Sequence, residues 1–375
     1  MFVLLLIVGY IAYNTYISRS DYQPVYKSTF DSNKVDFPSQ YVKANRGEVN
    51  VEVPEVYELF YIISAISKPG QQGGINLNRS SAYYNDVINY FKNYSEHPAV
   101  KEYESLQKNN SYSNLRMIFR YEFEGNQVEH GGIYNQFEEK EEAESYAELL
   151  TDFAQDSNFR EFYNNHSDYY KTKISNFQQL TNMKRIWSWM EKNFPQKYDS
   201  YKVVLSPLVY ANHNTTNFLD SEDNYHEIVM FVSTPELFDQ YNLNSNEVLK
   251  ALVSRMVLTE IDHNYVNPTT DLKENMQRVN RVFSDLNKWN TQSGYRRSAI
   301  TFNEYMTWGA ACLYIYDHFS PEVYDLFIKQ TKLTMQNRGF VKFNEFYEIL
   351  FATYNSSEKP IFELYDEVLN KTAKI

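Results

Sequence analysis

The sequence predicts a mainly helical protein with a small central β-sheet, an α+β fold. Apolar residues recur at helical spacing through most of the 375 residues. Only two longer runs, residues 201–210 and 226–233, combine β-branched and aromatic residues between polar turns, which is typical of strands. No internal repeat and no strong linker interrupts the pattern, so we expect a single domain over residues 48–375.

Composition narrows the function classes. Hydrophobic residues make up 43% of the chain, enough for a sizeable core. The 36 basic and 48 acidic residues leave a formal charge of −12, which argues against nucleic acid as a partner because a polyanion would be repelled. The single cysteine, Cys312, excludes an internal disulfide and a cysteine-based zinc site within one chain, and its apolar neighbours predict a buried helix turn.

The chain starts with an apolar segment, residues 1–17, which predicts a signal-anchor or a signal peptide. A spanning helix needs about 20 residues, so the segment lies at the short end of the range. No small-x-small cleavage site closes it, and no Lys or Arg precedes it, which favours an uncleaved anchor. Residues 18–47 are polar and predict a tether, and we expect a protein of the cell envelope, membrane-anchored or secreted.

The elements of the folded part follow from periodicity and from their boundary residues. A short strand at 51–53 precedes a helix that starts at Pro54, a residue suited to the first turn. The acidic segment 220–224 lacks the central Gly and closing Glu of an EF-hand, so it predicts a polar turn. A long helix is expected over 246–265, ended by Pro268. Further helices are predicted at 83–94, 98–107, 114–121, 138–153, 272–289, 299–316, 321–336, 344–354 and 360–369.

The long helix carries the segment Thr259-Glu260-Ile261-Asp262-His263. In zinc hydrolases the pattern H-E-x-x-H places two imidazoles one helical turn apart, and the intervening Glu activates the metal-bound water. Glu260 and His263 keep this spacing, but Thr259 stands where the first imidazole belongs, and a hydroxyl is a poor zinc ligand. A strand, a motif helix and a later helix with an acidic residue follow one another in many zincin hydrolases, and the matching acidic residue is Glu304.

The sequence resembles a bacterial domain-of-unknown-function family regarded as zincin-like metallopeptidases and found mainly in envelope proteins. The resemblance rests on four patches: residues 51–59, 83–100, 260–268 and 303–304. It implies a zincin-like scaffold in which Glu260 is the general base, His263 a metal ligand and Glu304 the third ligand. It also implies zinc as the cofactor, although Thr259 departs from the family pattern and weakens the site.

Other side chains were weighed as replacements for the missing imidazole. His226 and His213 come from the strand region, and Asp262 lies roughly 300° around the helix from Thr259. Three functions remain open. The first is a membrane-anchored or exported, degenerate metallopeptidase that binds a peptide or an envelope partner. The second is an active zinc peptidase with an atypical ligand set. The third is a non-catalytic structural envelope protein, in which Glu260, His263 and Glu304 would not converge.

Overall fold

A computed structural model describes residues 33–73, 77–108, 116–134, 141–211, 213–241, 243, 245–292 and 294–375. The apolar segment 1–17 therefore lies outside the described residues. Contacts group the chain into two compact units, where the sequence predicted one domain. The described part of the sheet unit lies within residues 33–180 and 198–240, and the described part of the helical unit lies within residues 181–197 and 241–375.

The sheet unit is built on a five-stranded mixed sheet. Its strands lie in the order β1-β6-β7-β5-β2, where β6 runs antiparallel to β7 and the other neighbours are parallel. The strands are β1 (Asn33–Lys34), β2 (Val49–Glu52), β5 (Ser200–Ser206), β6 (Asn214–Asp220) and β7 (Tyr225–Ser233). Both strand predictions from the apolar runs are confirmed, by β5 and β7. Strand β6 was missed because its Asn-Thr-Thr-Asn start is polar.

The predicted tether is wrong for residues 33–47, which belong to the sheet unit. Strand β1 pairs with β6, and helix α1 (Ser39–Asn45) follows it. Phe37 is 5% exposed, and its backbone N–H donates to Asp220 Oδ2 at 2.8 Å. The polar composition of this segment gave no indication of these contacts, because only a few of its apolar residues enter the core.

Helices cover the sheet unit, and the most buried of them is α2 (Glu55–Ile66), with ten of its twelve residues buried. The other helices are α3 (Lys68–Gln71), α4 (Ala82–Phe91), α5 (Pro98–Lys108), α6 (Glu141–Asp156), α7 (Phe159–Asn165) and α8 (Ser167–Leu180). The predicted helix at 114–121 is wrong: a 3₁₀ turn, Arg116–Arg120, leads into a hairpin of β3 (Tyr121–Glu124) and β4 (Gln127–His130). Its turn contains Gly125 at φ +61°, a conformation that favours glycine.

The helical unit surrounds one central helix, α14 (Ser298–His318), which packs against α10 to α13, α15 and α16. Gly309 on α14 allows the close approach of α16, since a Cβ there would lie 2.5 Å from Leu350 Cδ2. Cys312 is buried on α14, as predicted. The helices are α9 (Met183–Asn193), α10 (Asn246–Ile261), α11 (His263–Asp271), α12 (Lys273–Val282), α13 (Leu286–Trp289), α15 (Pro321–Asn337), α16 (Phe343–Asn355) and α17 (Ile361–Thr372).

These units confirm a mainly helical α+β protein with a small mixed sheet. The helix predicted over 272–289 is instead two helices, Lys273–Val282 and Leu286–Trp289. The helices predicted at 299–316, 321–336, 344–354 and 360–369 are found within a few residues of their expected bounds. Within the described ranges, no helix combines the length and apolar character needed to cross a bilayer.

The single helix predicted over 246–265 is instead two helices that meet at Asp262. Helix α10 ends at Ile261, and α11 continues through Pro268 to Asp271, so the prediction that Pro268 ends the helix is wrong. Proline removes one backbone donor and usually breaks a helix. Here the final turn is buried, and the Thr269 hydroxyl bonds the Tyr265 carbonyl at 2.8 Å, so the turn persists.

Candidate functional site

The motif residues lie at the junction of α10 and α11 in the helical unit. Thr259 and Glu260 occupy the last turn of α10, and His263 is the first residue of α11. Glu304 lies near the start of the central helix α14. The His263 Nε2 atom lies 3.9 Å from Glu304 Oε1, so two residues separated by 41 positions meet at one place, which we call the His263–Glu304 site.

Thr259 contributes its hydroxyl to its own helix and not to this site. The side chain is only 8% exposed, and its Oγ1 donates to the Arg255 carbonyl at 3.0 Å. This contact one turn back is an ordinary way for threonine to satisfy its hydroxyl inside a helix. The position of the first imidazole is therefore filled by a residue whose polar atom is already used.

Arg338 holds the second oxygen of Glu304. Its Nη2 donates to Glu304 Oε2 at 2.8 Å and to the Tyr295 hydroxyl at 2.5 Å. The Arg338 and Glu304 side chains are only 12% and 14% exposed. Burial raises the pKa of Tyr295 to about 12, although Arg338 pulls in the other direction. Glu304 thus has its charge balanced within the protein.

Backbone geometry places Arg338. It follows the last residue of α15, and Gly339 comes next at φ +81°. The Phe340 N–H donates to the Met335 carbonyl at 2.9 Å, which completes the glycine-dependent turn that commonly ends helices. The guanidinium carbon also lies 5.1 Å from the ring centre of Trp308, a favourable cation–aromatic distance.

His263 is oriented by its own helix. Its Nδ1 lies 3.4 Å from Asn267 Oδ1, one turn further along α11. An amide oxygen accepts hydrogen bonds, so Nδ1 faces an acceptor on its own helix while Nε2 faces Glu304. The His263 side chain is 27% exposed, which keeps the imidazole accessible from solvent.

Asp262 is a buried acid at the helix junction. It is fully buried, and neither carboxylate oxygen completes a hydrogen bond of ordinary geometry. Burial raises the pKa of Asp262 well above its usual value, and the nearby charges of Glu260 and Glu304 add to the rise. The Thr307 hydroxyl opposes part of the shift. Asp262 is therefore influenced by the charges of both Glu260 and Glu304.

The donors of this site do not fit a zinc ion as they are placed. One imidazole and one carboxylate oxygen face each other, while the Thr259 hydroxyl and the second Glu304 oxygen have other partners. In the part of the chain that the structure describes, no group of three or more His, Cys, Asp or Glu side chains is placed to hold a metal ion. A catalytic zinc site ordinarily has three protein ligands.

The two histidines considered as replacements lie in the sheet unit. His226 lies on β7 of the sheet unit, where its ring packs on Tyr198 and its Nε2 lies 3.1 Å from Asn217 Oδ1. Burial lowers the pKa of His226 to about 4. His213 also belongs to the sheet unit, immediately before β6. Neither histidine belongs to the unit that contains His263 and Glu304.

The match to a known family spans both units. The model of a domain of unknown function, DUF4932, matches residues 124–359, which is well over half of the chain. The chain belongs to the DUF4932 family. The DUF4932 match contains the whole motif segment, Glu304 and Arg338, but begins after two of the four patches on which the resemblance rested, 51–59 and 83–100. No curated protein and no solved structure matches this DUF4932 chain.

Sequence reasoning missed the cation in the site. Arg338 lies 34 residues after Glu304 in a segment, Asn337-Arg338-Gly339-Phe340, that reads as a helix end followed by glycine. A basic residue at a helix end is favourable wherever it occurs, so this pattern carries no signal for a site. Tyr295 and Trp308 were likewise indistinguishable from core aromatic residues.

Proposed function

We propose that this DUF4932 protein is a zincin-like protein that has lost ordinary zinc peptidase activity and binds a peptide or an envelope partner at the His263–Glu304 site. We further propose that residues 1–17 anchor it in the cell envelope, or direct its export if they are removed. The finding that the first-ligand position and one Glu304 oxygen are occupied by internal contacts supports this proposal most directly.

The groups that remain available suit peptide recognition. His263 is accessible and Glu260 is half-buried, so an imidazole and a carboxylate can be reached from solvent. Trp308 is buried, and the Arg338 and Arg255 guanidinium groups lie against its ring. Peptide backbones need donors and acceptors in a partly desolvated place, and these side chains offer both. A bound peptide does not require a metal in this arrangement.

An active zinc peptidase is the second candidate, and one observation favours it. His263 Nε2 and Glu304 Oε1 are 3.9 Å apart, so an approach of about 0.6 Å would bring them to the separation of about 3.3 Å at which two tetrahedral ligand atoms share a zinc ion with bonds of about 2 Å. A further ligand from a partner or a water molecule would then complete the site, and Glu260 would act as general base.

One experiment separates these functions. The full-length protein, extracted in detergent, is incubated with a diverse peptide pool with and without zinc, and mass spectrometry reads both retained peptides and new termini. We expect retained peptides and no new termini, and we expect Glu304→Gln to change the retained set. Glu322→Gln, an exposed glutamate of the same unit, is the matched control. Zinc-dependent cleavage that disappears in Glu260→Gln would establish the peptidase instead.

Fractionation of the cells that express the protein tests whether residues 1–17 anchor it. We expect the protein to fractionate with membranes and to leave them when residues 1–20 are deleted. A soluble mature protein that begins after about Ser18 would show that the segment is a cleaved signal peptide.

A further inference from the structure

We infer that Arg338 supplies Glu304 with the positive charge that a metal ion would otherwise supply at the His263–Glu304 site. Restoring the imidazole at position 259 therefore does not by itself restore zinc binding. The metal affinity of the site is a separate property from peptide binding, and its measurement does not depend on whether the site binds a peptide.

The arrangement around Arg338 is that of a fixed ion pair. Its Nη2 bonds Glu304 and Tyr295 together, and the side chain is 12% exposed. The guanidinium also lies against the Trp308 and Phe340 rings, with centroid distances of 5.1 and 5.3 Å. The glycine-dependent turn at Gly339 fixes the backbone from which it extends. Every one of these contacts holds the positive charge at Glu304.

A metal ion would have to share Glu304 with that charge. Arginine stays protonated across the accessible pH range, so Arg338 cannot yield by losing a proton. A zinc ion bonded to Glu304 Oε1 would sit near a guanidinium that bonds the other oxygen of the same carboxylate, and the two positive charges would repel in a partly desolvated place. A carboxylate already neutralised by a cation is also a weaker electron-pair donor. Zinc binding is therefore opposed at two positions. Thr259 lacks the imidazole of the first ligand, and Arg338 bonds the carboxylate of Glu304.

The test compares zinc affinities by competition with a chromophoric chelator at one pH and ionic strength. Full-length Thr259→His is compared with Thr259→His/Arg338→Met, in which methionine keeps an unbranched apolar side chain against Trp308. Thr259→His/Arg338→Lys is the matched control, because it keeps the positive charge. His263→Ala in the methionine double variant checks that the zinc bound is at this site.

We expect the methionine double variant to bind zinc at least tenfold more tightly than Thr259→His, and the lysine double variant to bind no more tightly than Thr259→His. A gain of less than tenfold in the folded methionine variant would overturn the inference, and so would an equal gain in the lysine variant.

A second measurement does not depend on removing Arg338. If Arg338 keeps Glu304 from the metal, adding Glu304→Gln to Thr259→His changes zinc affinity by less than threefold. A larger loss would show that Glu304 ligates zinc while Arg338 is present, which contradicts the inference. Circular dichroism verifies that each variant is folded.

Discussion

The two units hold buried carboxylates in different ways. In the helical unit, Glu304 is balanced by the opposite charge of Arg338. In the sheet unit, Glu227 on β7 is fully buried and accepts from neutral hydroxyls: Tyr134 at 2.6 Å, Ser200 at 2.8 Å and Tyr41 at 3.1 Å. Tyr134 and Tyr41 belong to distant parts of the chain, so Glu227 fastens three segments together.

This difference distinguishes Glu227, which stabilises the fold, from Glu304, which belongs to the candidate site. The hydroxyl groups around Glu227 use both of its oxygens within the unit. Glu304 has one oxygen on Arg338, and the other faces an accessible histidine at 3.9 Å. The His263–Glu304 site is therefore the stronger functional candidate, because its histidine can be reached from solvent.

The largest effect is expected for Arg338→Met. Removing one partner of a nearly buried ion pair leaves Glu304 without its cation, and such losses typically cost about 3–5 kcal/mol. Urea unfolding followed by tryptophan fluorescence measures the change. Arg281→Met, at an exposed arginine of the same unit, is the control. Equal stability of the two variants would show that the pair contributes nothing, and the contrast with Glu227 would disappear.

Glu58 in the sheet unit sharpens the comparison, because this fully buried carboxyl accepts from the neutral Tyr83 hydroxyl at 2.8 Å. Burial raises the pKa of Glu58 to about 7, although the Ser206 hydroxyl acts to lower it. A raised folded-state pKa stabilises the protein below the unfolded value, and the contribution is lost as pH rises through about 7. Between pH 5 and 8 the wild-type unfolding free energy should therefore fall by about 2–3 kcal/mol more than that of Glu58→Gln.

The measurement is a pair of urea titrations at several pH values. Glu161→Gln, at an exposed glutamate of the sheet unit, should follow the wild type. Parallel profiles for the wild type and Glu58→Gln would rule out the proposed titration.

A smaller effect is expected for Tyr134→Phe, which removes one of the hydroxyl donors to Glu227. A hydrogen bond to a carboxylate contributes roughly 1.5–3 kcal/mol, and the remaining donors to Glu227 keep the loss near the lower end of that range. Thermal and urea unfolding report the loss, with Tyr90→Phe at an exposed tyrosine as the reference. A loss as large as that of Arg338→Met would mean that neutral donors and a cation stabilise these carboxylates equally.

Periodicity was sufficient to predict most helices of the helical unit, although it merged α10 with α11 and α12 with α13. It failed where tertiary contacts decide the outcome. The buried turn after Pro268 and the polar strand β6 are stabilised by packing and pairing that no local pattern records. The motif spacing on a helix predicted Glu260 and His263 as site residues, and the order of strand and helices predicted Glu304. Arg338 could not be found, since its role depends on two helices meeting.

The attachment of strand β1 to β6 limits how far the protein can extend from a membrane. The sheet unit starts at Asn33, so 15 residues separate it from Ile17, where the original tether prediction allowed 30. A fully extended chain covers at most about 3.4 Å per residue, so these residues can reach about 50 Å. Under the anchoring that we propose, the start of strand β1 stays within that distance of the bilayer surface, so the sheet unit begins close to the membrane.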